Sequence, residues 1–96
     1  PLLRAHSLNR AGNWLTNVGR AEDAVAAHCE ALALFEEYGE DHGTAETLDL
    51  LGMAFGLAAG DAIGAVASYD RAIDRLRRLD EPQRLISSLI SRVVFS

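Results

Sequence analysis

The chain has 96 residues and a net charge of −5, and its residues are 49% hydrophobic but only 6% aromatic. This length allows one small domain, and an apolar share dominated by alanine and leucine favours packed helices over sheets. The acidic balance lacks the basic stripe of nucleic-acid binders, no apolar run is long enough to span a membrane, and the single cysteine, Cys29, excludes an internal disulfide.

Two helices are predicted in the first half of the chain. The first covers about residues 2–18, where apolar residues recur at helical spacing, and Gly19 ends it because glycine readily adopts a left-handed conformation. The second covers about residues 21–38 and carries acidic residues in its first turn. Its predicted buried stripe consists of Ala24, Val25, His28, Ala31, Leu32 and Phe35.

Three further helices follow. A polar joint at residues 39–43 precedes the third helix, which Thr44 is predicted to cap and which continues to about Ala58. The fourth helix is predicted to begin with Asp61 as its N-cap and to reach about Leu79, where the joint Asp80-Glu81 ends it. The fifth covers about residues 82–95, with Pro82 in its first turn.

The two halves of the chain resemble each other at a period of about forty residues. Gly12 recurs as Gly52, and after a one-residue insertion near Ala59, Gly19 recurs as Gly60. Further matches are Leu8 with Leu48, Ala24-Val25 with Ala65-Val66, Ala31 with Ala72, and Leu32 with Ile73. Such self-similarity indicates stacked structural units, which usually form surfaces for partners rather than pockets for chemistry.

Small residues inside the helices predict a close approach between helices. Gly12 and Gly52 interrupt helix interiors, each at a cost of roughly 1 kcal/mol relative to alanine, so a compensating contact is expected. We expect the partner helix of the same hairpin to lie against each glycine. Larger residues there would separate the helices, with an overpacking cost of about 1–3 kcal/mol.

These positions carry a resemblance to a known family. The second half contains the pattern Leu48-x-x-Leu51-Gly52-x-x-Phe55, then Ala65-x-x-x-Tyr69-x-x-Ala72. A looser copy in the first half is Leu8-x-x-Ala11-Gly12-x-x-Leu15, then Ala24-x-x-x-His28-x-x-Ala31. Both resemble the tetratricopeptide repeat, although a period of about forty exceeds the usual 34 residues and is similar to the longer repeats of bacterial regulatory proteins and kinesin light chains.

The resemblance implies an all-α fold in which antiparallel helical hairpins stack as a short right-handed superhelix of five helices. Residues 1–96 would form one domain, with a first unit at about 2–43, a second at about 44–81 and a half unit at about 82–96. In this family the first helix of each unit lines an inner groove that binds peptides or protein segments.

A row of asparagines is the main candidate for such a groove. Asn9, Asn13 and Asn17 are spaced four residues apart on one helix, and each amide can both donate to and accept from an extended peptide. The alternative is a polar helix face covered by water. The other candidate groove residues are His6, Thr16, Glu46, Asp49 and Met53, and their acidic members favour a basic or neutral partner.

The fifth helix is apolar around more than one face, which is typical of a buried helix. No sixth helix follows to cover it, so more repeats follow in a longer protein, or the helix pairs with a second copy, or it folds back on the stack. We favour a fragment that self-associates through this helix. The candidate residues are Leu85, Ile86, Leu89, Ile90, Val93, Val94 and Phe95.

The predicted function is protein–protein interaction, as part of a larger bacterial regulatory or signalling protein in the cytoplasm. The partner would be a protein or peptide segment or a second copy, with no direct nucleic-acid or membrane partner. The alternative is a structural spacer or oligomerisation segment without a ligand groove. We expect neither an enzyme nor a metal or cofactor, because the sequence shows no nucleophile–base arrangement and His28 fits a packing position better than a ligand position.

Overall fold

The structure, a computed structural model, describes residues 1–79 and 82–95. Within these residues it is all-α and contains no strand, as the sequence predicted. The helices are α1 (Leu2–Asn17), α2 (Ala21–Glu37), α3 (Asp41–Met53), α4 (Ala62–Leu79) and α5 (Pro82–Phe95), and a π-helical turn (Ala54–Ala58) extends α3. The predicted joint at Asp80-Glu81 lies outside the described residues, as does Ser96.

The helices form a flat stack with extents of 33 × 32 × 17 Å. α1 packs mainly against α2, α3 against α4, and the two hairpins meet where α2 packs against α3. α5 packs against α4 and so continues the order of the stack. Gly19, Gly39 and Gly60 have positive φ angles, and the left-handed conformation predicted for Gly19 is confirmed.

The glycines inside α1 and α3 each pack directly against a side-chain ring from the opposite helix of the same hairpin. A Cβ atom added to Gly12 would lie 2.5 Å from Nε2 of His28, and one added to Gly52 would lie 2.7 Å from the Tyr69 ring. The predicted close approach is therefore confirmed, and a side-chain ring makes it. The surrounding core is built from small and aliphatic residues that include Ala24, Ala31, Ala65, Ala72, Leu48 and Leu76.

α3 begins four residues earlier than the sequence predicted, because its N-cap is Glu40 rather than Thr44. The Glu40 carboxylate accepts hydrogen bonds from the backbone N–H groups of His42 (3.1 Å) and Gly43 (2.9 Å). Thr44 lies inside the first turn, where its hydroxyl donates to the Glu40 carbonyl at 2.9 Å. Gly43 belongs to the helix and not to the predicted joint, and it is buried against the Phe35 ring, which explains a glycine at this position.

The one-residue insertion in the second half is accommodated by the π-helical turn. Here the Ala59 N–H donates to the Ala54 carbonyl, five residues back, at 3.1 Å, whereas the sequence predicted a regular helix to Ala58. A π-turn holds one residue more than an α-turn. This explains why Gly52 and Gly60 are one residue further apart than Gly12 and Gly19.

The start of α4 agrees with the sequence. The Asp61 carboxylate accepts a hydrogen bond from the Gly64 N–H at 2.9 Å, which is the geometry of an N-cap. Because only Ala59 and Gly60 separate Asp61 from the π-turn, this bond fixes the carboxylate near the widened end of α3.

Candidate protein-binding face

Asn9 does not lie on an exposed face with Asn13 and Asn17, and this corrects the prediction from their spacing. Asn9 is 4% exposed, whereas Asn13 and Asn17 are exposed. Four residues advance a helix by about 40° beyond a full turn, so the row drifts by about 80° from Asn9 to Asn17. That rotation turns Asn9 towards the interior and leaves the other two amides at the surface.

Asn9 is the centre of a buried hydrogen-bond network that joins three helices. Its Nδ2 donates to Thr47 Oγ1 of α3 at 2.8 Å, and its Oδ1 lies 2.9 Å from His28 Nδ1 of α2. The Thr47 hydroxyl in turn donates to the Gly43 carbonyl at 2.7 Å. Because an amide oxygen only accepts hydrogen bonds, the His28 proton resides on Nδ1.

His28 is fully buried, and desolvation lowers the pKa of its imidazole from 6.5 to about 4. The ring is therefore neutral at pH 7. Its Nε2 atom is also buried and has no hydrogen-bond partner among the described residues. This nitrogen points at Gly12, so the ring is held by one hydrogen bond and by packing.

A related polar contact recurs one step along the stack. Asp49 follows Asn9 by forty residues and Ser88 follows Thr47 by forty-one, and the Ser88 hydroxyl donates to Asp49 Oδ1 at 2.7 Å. Tyr69 occupies the place of His28, and burial together with the charge of Asp49 raises the pKa of its phenol, an effect that Ser91 opposes. Asp49 therefore contributes to the junction of α3 with α5.

The remaining predicted groove residues differ from one another in their contacts and in their exposure to solvent. His6 packs edge-on against Phe35 at a centroid distance of 5.1 Å, and the Thr16 hydroxyl donates to the Gly12 carbonyl at 2.9 Å. Glu46 is half-buried, and the Met53 side chain is 39% exposed.

The surface of α1 thus offers two exposed amides, Asn13 and Asn17, and beside them the single tryptophan, Trp14. Trp14 is 61% exposed, so the described part of the chain does not bury it. α1 and α3 are joined by the bond from Asn9 to Thr47, and Met53 is exposed at the last residue of α3. Sequence reasoning missed Thr47 and Ser88, although their spacing of forty-one residues, parallel to that of Asn9 and Asp49, was the available signal.

A family model described as tetratricopeptide repeat matches residues 3–78, which is more than half of the chain. The chain belongs to the tetratricopeptide repeat family. Searches of curated proteins and of solved structures found no match. Membership confirms the resemblance read from the glycine and alanine positions, and it identifies the chain with repeats that typically act as non-catalytic scaffolds for protein–protein contacts.

A second exposed surface of this tetratricopeptide domain lies on α5. Ile86, Ile90 and Val94 follow one another at four-residue spacing and are 56%, 61% and 71% exposed. Leu89 and Val93 are also exposed, and Leu85 is half-buried. This row is the largest set of exposed aliphatic side chains on any one described helix.

Phe95 does not belong to that exposed row, contrary to its grouping in the sequence analysis. Its ring stacks on Tyr69 with a centroid distance of 6.1 Å and an interplanar angle of 9°. The ring also covers Gly56 in the π-turn, where an added Cβ atom would lie 2.5 Å from it. Because Gly56 has no side chain, there is space beside it for the Phe95 ring at the end of α5.

The described residues contain no cluster of three or more His, Cys, Asp or Glu side chains arranged to hold a metal ion. Within the same residues, no helix combines the length and the apolar character that crossing a bilayer requires. Cys29 is exposed on α2 and carries no disulfide.

Proposed function

We propose that this tetratricopeptide domain binds an extended, neutral or basic protein segment along α1 and α3. Asn13 and Asn17 would hydrogen-bond the peptide backbone, since each amide offers a donor and an acceptor. Met53 would supply an adaptable apolar contact, and Glu46 and Asp49 the negative charge that favours basic segments. His6 and Thr16 would border this surface.

The observation that carries this proposal is that the asparagines of α1 lie in different environments. The interior network takes up Asn9 and leaves the amides of Asn13 and Asn17 exposed in a family of protein-binding scaffolds. The long repeat further supports a larger bacterial regulatory or signalling protein of the cytoplasm as the host.

Replacing Asn13 by alanine is expected to weaken binding of a selected peptide about tenfold, because a backbone hydrogen-bond pair of about 1.4 kcal/mol would be lost. Peptides would be selected from a random display library with the unmodified domain. Their dissociation constants for both proteins would then be measured from the fluorescence of Trp14, the residue next to Asn13.

The matched control is Ser7→Ala, which changes an exposed residue on the same helix about 120° away from Asn13. It should leave peptide binding unchanged. Equal losses for both variants, or no peptide whose binding depends on Asn13, would contradict a groove on this face.

The second candidate function is self-association through α5, and the exposed row of Ile86, Ile90 and Val94 favours it. Burying one such side chain is worth about 1.5–3 kcal/mol relative to leaving it in water. Three of them on each of two chains would therefore provide a substantial part of the free energy of dimerisation.

Replacing Ile90 and Val94 by arginine is expected to give a monomer under conditions where the unmodified chain forms a dimer, because charged side chains would have to be desolvated at the interface. Sedimentation velocity over a range of concentrations measures the difference. Ile63→Arg is the control, since Ile63 is 86% exposed and belongs to α4 rather than to α5. An unmodified chain that stays monomeric at high concentration would contradict this candidate.

A further inference from the structure

An apolar cleft lies between the first turns of α2 and the π-helical turn. Its volume is about 350 Å³, at the lower end of the range of ligand sites. Val25 and Ala26 of α2 and Phe55 and Ala59 of the second hairpin form its walls. None of these residues is among those proposed to bind a protein segment along α1 and α3, so the cleft is a separate surface.

The π-turn gives the cleft its second wall. The extra residue widens the end of α3, and Phe55 and Ala59, near the two ends of this segment, both line the cleft. The first hairpin has no corresponding insertion between Gly12 and Gly19. Since π-turns occur frequently at functional sites, this local departure from the repeat favours a functional role for the cleft.

Two carboxylates border the cleft. Glu22 and Asp61 both line it, and neither forms an ion pair with any described residue. Arg20, the arginine nearest in sequence to Glu22, is held by Asp23 at 2.6 Å. The bond from Gly64 keeps the Asp61 carboxylate in place. The cleft therefore combines an apolar interior with two carboxylates that form no ion pair among the described residues.

We propose that this cleft receives an arginine side chain of a partner protein. The methylene groups of arginine would lie against Val25 and Ala59, as long cationic side chains do on apolar surfaces. The planar guanidinium can stack on the Phe55 ring and donate to both carboxylates at once. A lysine ammonium is a compact charge without this planar fork, and it satisfies the same groups less well. This inference goes beyond the proposed function, because it places a charged contact outside the α1–α3 face.

The test titrates the isotope-labelled chain with acetyl-Gly-Arg-Gly-amide and with the citrulline analogue, which has a similar shape but no charge. The arginine peptide is expected to shift the backbone NMR signals of Val25, Phe55 and Ala59. It is expected to bind about fivefold more tightly than the citrulline peptide, which is the upper range for an exposed charge contact.

The preference should disappear in the Glu22→Gln/Asp61→Asn variant, in which asparagine can still cap α4. Ala26→Leu should weaken both peptides by filling the cleft, since Ala26 is an exposed wall residue. Glu37→Gln at the far end of α2 should change nothing. Equal binding of the two peptides, shifts confined to other residues, or a preference that survives loss of both carboxylates would overturn the proposal. Asn13→Ala should not alter these shifts, so the test is independent of the α1 groove.

Discussion

Replacing Asn9 by alanine is expected to lower the free energy of unfolding by about 2–4 kcal/mol, because a buried partner is removed from two polar groups at once. The Nδ1–H of His28 would lose its only acceptor, and Thr47 Oγ1 would lose the N–H that it accepts. Each buried polar group left unsatisfied costs about 1–3 kcal/mol. Urea denaturation followed by far-ultraviolet circular dichroism measures the loss.

Asn13→Ala is the matched control, since it makes the same change one helical turn later on an exposed residue. Its expected effect on the free energy of unfolding is below about 0.5 kcal/mol. A double-mutant cycle of Asn9→Ala with Thr47→Val should show coupling of about 0.5–3 kcal/mol, because the two side chains are bonded directly. Equal stabilities of the two asparagine variants would contradict the structural role of Asn9.

The helices and their packing could be predicted because each depends on a local or periodic signal. Gly19 and Gly60 end helices through their own backbone conformation, and Asp61 caps α4 through a bond to a residue three positions away. Gly12 and Gly52 stood out because glycine is unfavourable inside a helix unless something lies against it. Gly12 and Gly52 occupy equivalent positions in the two repeats, so both contacts were predicted together. This agreement made the resemblance to tetratricopeptide repeats specific.

The role of Asn9 could not be predicted from its spacing. Whether an asparagine at the edge of a helix face turns inward depends on the group opposite it, and Thr47 is thirty-eight residues away. The same holds for Glu40, which caps α3 where a threonine was the conventional choice. Polar side chains are assigned to surfaces by default, so a buried polar network is recognised only when its members are seen to meet.

The insertion near Ala59 was visible in the sequence, but its form was not. An extra residue can lengthen a loop or widen a helix, and the repeat period is the same in both cases. The structure places the extra residue in a π-turn, and two features accompany this turn. The Phe95 ring packs against Gly56, and Phe55 and Ala59 line the apolar cleft. Because of a single added residue, the second hairpin thus differs from the first in its shape and in the surface that it exposes.

Lowering the pH from 7 to 5 is expected to reduce the free energy of unfolding by about 2 kcal/mol through His28 alone. Its pKa is about 4 in the folded chain, against 6.5 for an unperturbed histidine, so the unfolded chain binds the proton more readily. Stability from this group is therefore complete above pH 6.5 and is lost as the pH falls towards 4. Measurements between pH 7 and pH 5 isolate the effect, since carboxylates usually titrate lower, at about 4.

The informative comparison is with His28→Phe, in which a non-titrating ring takes the position over Gly12 that Tyr69 takes over Gly52. This variant loses the bond to Asn9 and should be less stable at pH 7, but its stability should change little between pH 7 and pH 5. The contribution of His28 is therefore measured by the difference between the two proteins in how the free energy of unfolding changes with pH, and not by their stability at one pH. If both proteins lost the same free energy over this range, the acid sensitivity would have to arise from other groups, and the neutral, buried state of His28 would be wrong.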